Sequence, residues 1–357
     1  MFIDTLRQAL TLHGQRLYTA NDFRQTLRIV LAGMIALGIS CFYNTTYTVF
    51  YVIYPMMLLS LVPVFNRFVV KQFLCGAMLS CMMTMLFVGC LSQWPLIMTL
   101  AVFSLYVLFF RLMSQGTLFL LGSIGVVCQS ALLNFMSYPT TDWHTLIFSI
   151  IEASVMALGL SAVMYTVLPD VEPRGRPPLI VKDPARVRHE SLLAATVATL
   201  IFIVFQICDL SDSLAALMAG VLVLFPMHYR GAVLSSLWRV VGATLGGMYV
   251  LLAQLLLYSN DGHLLLMMPL VAIGLAFSVR LHVIEKVGAG VGFSCFTTIA
   301  IMFGQSLHPG NDLVFSDLWR IISVVGSILI TLTLVFIIHL LLNRFAATRY
   351  IPSPPGQ

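Results

Sequence analysis

Hydrophobic positions run along this chain in long stretches with scarcely a charge inside them, and short polar breaks separate the runs. A helix needs about 20 apolar residues to cross a hydrocarbon core of roughly 30 Å, and the runs predict twelve such spans. Six fall at about 26–43, 48–64, 71–91, 94–110, 117–137 and 145–168, and six more at about 191–208, 213–227, 236–258, 264–280, 287–307 and 318–342. The alternation of barrel strands is missing, so helices are the spanning element. Between the two sets lies "PDVEPRGRPPLIVKDPARVRHE", Pro169 to Glu190, rich in proline and charge. The predicted layout is an interfacial segment at 1–25, a six-helix repeat at 26–168, a polar linker at 169–190, a second six-helix repeat at 191–342 and a tail at 343–357. The first segment carries Phe2, Leu6, Leu10 and Leu17 at roughly helical spacing and lacks a signal-peptide layout, so it is expected to lie flat in the membrane interface.

Composition leads the same way. Of 357 residues, 59% are hydrophobic and 9% charged, and the mean hydropathy is +0.97; a soluble domain of this size needs far more polar surface. The fold class expected is an all-α polytopic membrane protein. Of the 19 Lys and Arg residues only Arg320 falls outside the termini and the even-numbered loops. By the positive-inside rule both termini are cytoplasmic, and the opposite loops hold acids and histidines such as Asp142, His144, Asp261 and His263. The net charge of +5 reports this sidedness and gives no argument for nucleic acid.

The halves echo each other. "PVFNR" (Pro63 to Arg67) ends the second span and "PMHYR" (Pro226 to Arg230) the eighth, while "DWHTLI" at Asp142 opens the sixth as "DLWRII" at Asp317 opens the twelfth. Six spans per half imply a parallel repeat about an axis along the membrane normal. Paired helix breaks point to a transport route, because they free backbone groups to meet a solute. Here the breaks are Pro55 and Pro63 in the second span, and Gly220 and Pro226 in the eighth. Just before them, "CFYNTTYTVFYVIYP" supplies Asn44, Tyr47, Tyr51 and Tyr54, either as an aromatic vestibule or as an interfacial belt. In "LWRVVGATLGG" no Lys follows the glycines, so a phosphate loop is excluded. Gly242, Gly246 and Gly247 instead form a smooth face for close helix approach. Arg239 reads as a snorkelling anchor at the interface or as a cation that attracts an anionic substrate.

For proton coupling the candidates are Glu152, two turns inside the sixth span, and after it Asp209 and Asp212 in "CDLSDS". His339 could relay protons, or snorkel near the cytoplasmic end. The seven cysteines lack CxxC spacing and read as small packing residues. No metal-ligand spacing and no catalytic motif is visible, so neither a cofactor nor an enzyme activity is expected.

With "RVVGATLGG", the proline-ended runs "LLSLVP" and "VLVLFP", and six helices repeated twice, the chain resembles the fusaric acid resistance superfamily, which includes the bacterial aromatic acid exporters. Its six-helix unit is also similar to that of plant aluminium-activated malate transporters. It departs from those exporters in having only the short linker and tail where they carry large cytoplasmic domains. Phe73 also stands before Gly76 where Arg239 stands before Gly242. The resemblance implies proton-driven efflux of small organic acids, aromatic carboxylic acids above all, across a bacterial inner membrane, with a periplasmic adaptor of the membrane-fusion type as partner. A passive anion channel and a non-transporting membrane anchor are the alternatives, and self-association into a homo-oligomer is left open.

Overall fold

Twelve helices carry the chain in a computed structural model that describes residues 18–138, 142–172, 174, 182–208, 210, 213–257, 264–285, 290–306, 313–345 and 348–350, with no strand among them. They are α1 (Ala20–Phe42), α2 (Thr48–Leu61), α3 (Arg67–Leu91), α4 (Pro95–Gln115), α5 (Phe119–Met136), α6 (Trp143–Val167), α7 (Pro184–Ile207), α8 (Leu214–Val223), α9 (Tyr229–Leu257), α10 (Leu264–Glu285), α11 (Val291–Ser306) and α12 (Leu313–Asn343). Nine of these are long and apolar enough to cross a membrane. Their outer faces carry large apolar side chains such as Met82, Leu256, Phe277 and Ile322, each more than half exposed, which only a lipid solvent tolerates in such number.

The expectation of twelve full spans is corrected at three places. At about 1.5 Å per residue, the 14 residues of α2 and the 10 of α8 fall well short of the bilayer core, and α11, with 16 residues, is short as well. Elsewhere helices begin earlier than the apolar runs do. Helix α7 starts at Pro184 instead of about 191, because the Asp183 carboxylate accepts the Ala185 N–H at 3.3 Å and Pro184 fits the first helical position. Helix α1 starts in a capping box: Asp22 N–H donates to the Thr19 hydroxyl at 3.2 Å, and Thr19 N–H to the Asp22 carboxylate at 3.1 Å. The expected interfacial segment falls mainly on residues 1–17, outside the described residues.

The helices divide into two compact units that do not coincide with the sequence halves. One comprises Met1–Phe65, Met156–Arg176 and Val241–Leu313, and the other Asn66–Val155, Pro177–Val240 and Val314–Gln357. In the first unit α1 packs on α2 and α10, and α11 packs on α2 and α10. In the second α7 packs on α8 and α4, and α5 packs on α8 and α4. Adding six to each helix number, modulo twelve, turns the first set of partners into the second. The glycine seams obey the same rule. A Cβ at Gly246 on α9 would lie 2.7 Å from the Cys295 carbonyl oxygen on α11, and one at Gly76 on α3 would lie 2.9 Å from the Leu121 carbonyl oxygen on α5. Where α9 has Gly246, α3 has Ser80, whose hydroxyl donates to the Gly125 carbonyl of α5 at 3.0 Å. Gly242 meets Val291 and Ser294 of α11, and Gly247 beside them is buried.

Candidate functional site

The two short helices that follow α1 and α7 are almost entirely buried. Every residue of α2 from Thr48 to Leu59 is buried, as is every residue of α8. Helix α2 lies against α1, where a Cβ at Gly33 would sit 2.7 Å from Met56 Sδ, and against α11, where Gly304 faces Val49. Helix α8 lies against α5 and α7. It is also tied to α12, where the Ser327 hydroxyl donates to the Ala216 carbonyl at 2.8 Å and a Cβ at Gly220 would come 2.9 Å from Thr331 Oγ1. Pro55 sits inside α2 and removes one helical N–H. Pro63 lies just past its end, and Pro226 lies in the turn after α8, where Met227 has φ of 58°. The loop before α2 turns at Asn44, with φ of 50°, a conformation that asparagine tolerates.

The aromatic stretch before Pro55 divides between its two readings. Phe42 and Tyr43 are largely exposed, at 82% and 72%, as a belt requires, whereas Tyr51 and Tyr54 are buried inside the unit. Tyr47 is half-buried, its ring 6.3 Å from that of Phe50.

Each short helix ends beside a cluster of charged and aromatic groups. In the first unit the Tyr165 hydroxyl on α6 donates to the Val62 carbonyl at the end of α2 at 2.9 Å. Its ring stacks on Phe65 at 5.6 Å, and the Arg28 guanidinium lies 4.3 Å above it. Arg28, 1% exposed, is ion-paired with Asp170. Asp170 also lies 3.7 Å from Arg174, so the start of the linker is docked on α1.

In the second unit a cluster centres on His339 of α12, whose ring stacks on Tyr229 at 5.3 Å with an angle of 10°. His339 Nδ1 lies 3.1 Å from His189 Nε2, His189 Nδ1 lies 2.6 Å from the Thr348 carbonyl oxygen, and the Asn343 side-chain amide lies 3.0 Å from His339 Nε2. Next to His189, Glu190 is fully buried and accepts from Lys182 at 2.7 Å, Arg186 at 2.9 Å and Ser114 at 2.6 Å. A cavity of about 610 Å³ opens here, lined by His228, Tyr229, Arg230, His339, Asn343, Arg349 and Tyr350.

The other candidates scatter. Glu152 lies on an exposed face of α6, so the interior setting that suits a coupling carboxyl is not supplied to it. Asp209 and Asp212 lie outside the described residues. Arg239, read as an interfacial anchor, is only 2% exposed. Three residues before Gly242 on α9 it is a core residue, as Phe73 is three residues before Gly76 on α3. No group of three or more His, Cys, Asp or Glu suited to a metal occurs among the described residues. Asp142 caps α6: the Thr145 hydroxyl, then the Thr145 and His144 N–H groups, hold its carboxyl below the usual range.

Sequence reasoning missed Arg28, His189 and Glu190. For the last two the signal was present in "RVRHE", where charge of both signs directly precedes an apolar run, but a helix start placed at about 191 left His189 and Glu190 in the linker. It also missed Gln129 and Asn134 on α5, 0% and 1% exposed, whose amides have no hydrogen-bond partner among the described residues.

Helices of this number and length, with large apolar side chains on their outer faces, define an all-helical, multi-pass membrane protein. Residues 25–164 match the profile of a family described as "Protein of unknown function (DUF2955)", a stretch that takes in nearly all of α1 to α6. No curated protein and no solved structure matches the chain.

Proposed function

We propose that this chain is a transporter that exports small organic anions, and that α2 and α8 line its route. The observation that carries this reading is the pair of short, wholly buried helices, set at equivalent places among the two sets of packing partners. Helices too short to cross the bilayer end inside protein, where backbone groups can serve a solute instead of lipid. The buried amides of Gln129 and Asn134 on α5, the helix beside α8, add polar groups that a dry packing core would not keep. The six-helix offset in packing supports two parallel repeats about an axis along the membrane normal, with Tyr47, Tyr51, Tyr54, Pro55, Pro63, Gly220 and Pro226 on the route. The density of arginine at the Pro63 and Pro226 ends supports placing both there and at the termini in the cytoplasm. The resemblance to the fusaric acid resistance superfamily supports an inner-membrane exporter of aromatic carboxylic acids, driven by protons and paired with a periplasmic adaptor.

The test is uptake of benzoate and benzamide into inside-out proteoliposomes under an imposed pH gradient. Accumulation of the acid against its gradient supports a coupled exporter, downhill movement alone means a channel, and no movement sinks the reading. Two variants refine it. If the outward-facing Glu152 is the coupling group, Glu152→Gln stalls accumulation; unchanged accumulation places coupling elsewhere. Arg239→Met removes a buried cation together with the interaction its guanidinium makes, a loss that destabilises where the partner stays buried. It is expected to lower the melting temperature and to slow benzoate more than benzamide. Equal losses for both compounds would remove Arg239 from selection.

A further inference from the structure

We infer that the cavity between the start of α9 and the end of α12 is a proton-linked binding site for a small planar organic anion, with the His189–His339 pair as the proton acceptor; this rests on the transport reading above and names a site within it. Arg230 and Arg349 line the cavity with His228, His339 and Asn343, and among the described residues no carboxylate lines it. Glu190, a buried acid next to His189, is already held by Lys182, Arg186 and Ser114. Tyr229 and Tyr350 present rings, and a volume of about 610 Å³ lies within the range of roughly 300–1,000 Å³ usual for small-molecule sites. A guanidinium fork recognises a carboxylate in its plane, and aromatic faces favour a flat partner.

The hydrogen bonds around the pair assign every proton in it. A carbonyl oxygen only accepts, so His189 Nδ1 carries a hydrogen toward Thr348. In the neutral ring His189 Nε2 is then an acceptor, and His339 Nδ1 must donate to it. His339 Nε2 in turn accepts from the Asn343 amide. That amide cannot turn around, because Tyr350 N–H donates to its oxygen at 2.9 Å. The chain runs from Tyr350 through Asn343, His339 and His189 to Thr348 with each link satisfied and both rings neutral. A further proton must enter at an Nε2 position: on His339 it faces the Asn343 amide hydrogens, and on His189 it faces the His339 N–H. Either way a link breaks and a positive charge appears beside the cavity.

The groups that face the pair decide when this happens. Arg230 and Arg349, which line the empty cavity together with His228, oppose a new charge there, and the Glu190 charge is taken up by Lys182 and Arg186. An anion placed between the arginines and His339 reverses that balance, so binding the anion and taking up the proton favour each other. Thr348 and Tyr350 close the two ends of this hydrogen-bonded chain.

The test is calorimetric titration of the purified full chain with benzoate, benzamide and inorganic phosphate, from about pH 8 to about pH 6. Benzoate is expected to bind, benzamide far more weakly, and benzoate affinity to rise toward tenfold per unit fall in pH, the limit for one linked proton. His339→Gln and His189→Gln are each expected to flatten that slope. The double variant Arg230→Gln/Arg349→Gln is expected to weaken binding about tenfold or more at every pH. Phosphate binding without benzoate binding, competition by an anionic lipid alone, or a slope that survives both His189 and His339 variants would overturn the site as stated. Benzoate binding with the expected slope but no movement of acids in vesicles would leave the site standing and remove the transport reading; movement without binding here would do the reverse.

Discussion

Replacing Gly246 with leucine is expected to lower the thermal stability of the purified protein by several degrees, and Gly242→Leu by at least as much. The obstacle at Gly246 is the Cys295 carbonyl oxygen of α11, only 2.7 Å from where a Cβ would stand, with Thr298 Cβ at 3.2 Å. A side chain tip can rotate away, but the backbone of a packed helix cannot, so α9 and α11 must separate. Overpacking of this kind costs about 1–3 kcal/mol, and in a membrane, where close van der Waals contact carries much of helix association, the loss is not recovered by hydrophobic burial elsewhere. The control is Gly159→Leu, since nothing lies within 4 Å of a Cβ there. A scan in which both leucine variants melt with the wild type would mean that the seam does not hold the unit together.

Glu190→Ala is the second change with a large expected effect. The carboxylate is wholly buried, and its three partners, Lys182, Arg186 and Ser114, use both of its oxygens. Removing one partner of a buried ion pair costs about 3–5 kcal/mol. The side chains of Lys182 and Arg186 are 19% and 17% exposed, so water recovers part of that, and about 2–3 kcal/mol is expected. The loss should also loosen the first turns of α7, where His189 sits. Thermal unfolding of Glu190→Ala, Arg186→Met and the double variant forms the cycle. If the double variant is no more stable than Glu190→Ala, the cations left behind are not the cause, and the effect is one of packing alone.

How much of this was legible beforehand differs from element to element. The long spans were, because an uninterrupted apolar run is itself the physical requirement for crossing lipid, and the ends of α3 and α6 fall within a few residues of those runs. The short helices were half legible: Pro55, Pro63, Gly220 and Pro226 marked the breaks, but a run of apolar residues does not say whether they continue a helix or turn inside protein. Arg239 was misread because an arginine near the end of an apolar run commonly snorkels. Burial depends on what packs around the residue, and Arg239 is 2% exposed.

The sequence by itself determined the class of protein, the helix order, the repeated prolines and the small-residue face of α9, since each follows from local composition and from the solvent a segment can tolerate. Only the tertiary structure decided which helices are partners: α1 and α2 of the first half pack with α10 and α11 of the second, and α7 and α8 with α4 and α5. It also decided that His189, His339, Asn343 and Tyr350, spread over more than 150 residues of chain, form one hydrogen-bonded line. Apolar helix faces in a bilayer are chemically alike, so hydropathy cannot rank one partner above another. That choice rests on the fit of glycine faces to opposing backbones and on a few buried polar groups whose partners lie far off in the chain, and such contacts exist only once the chain has folded.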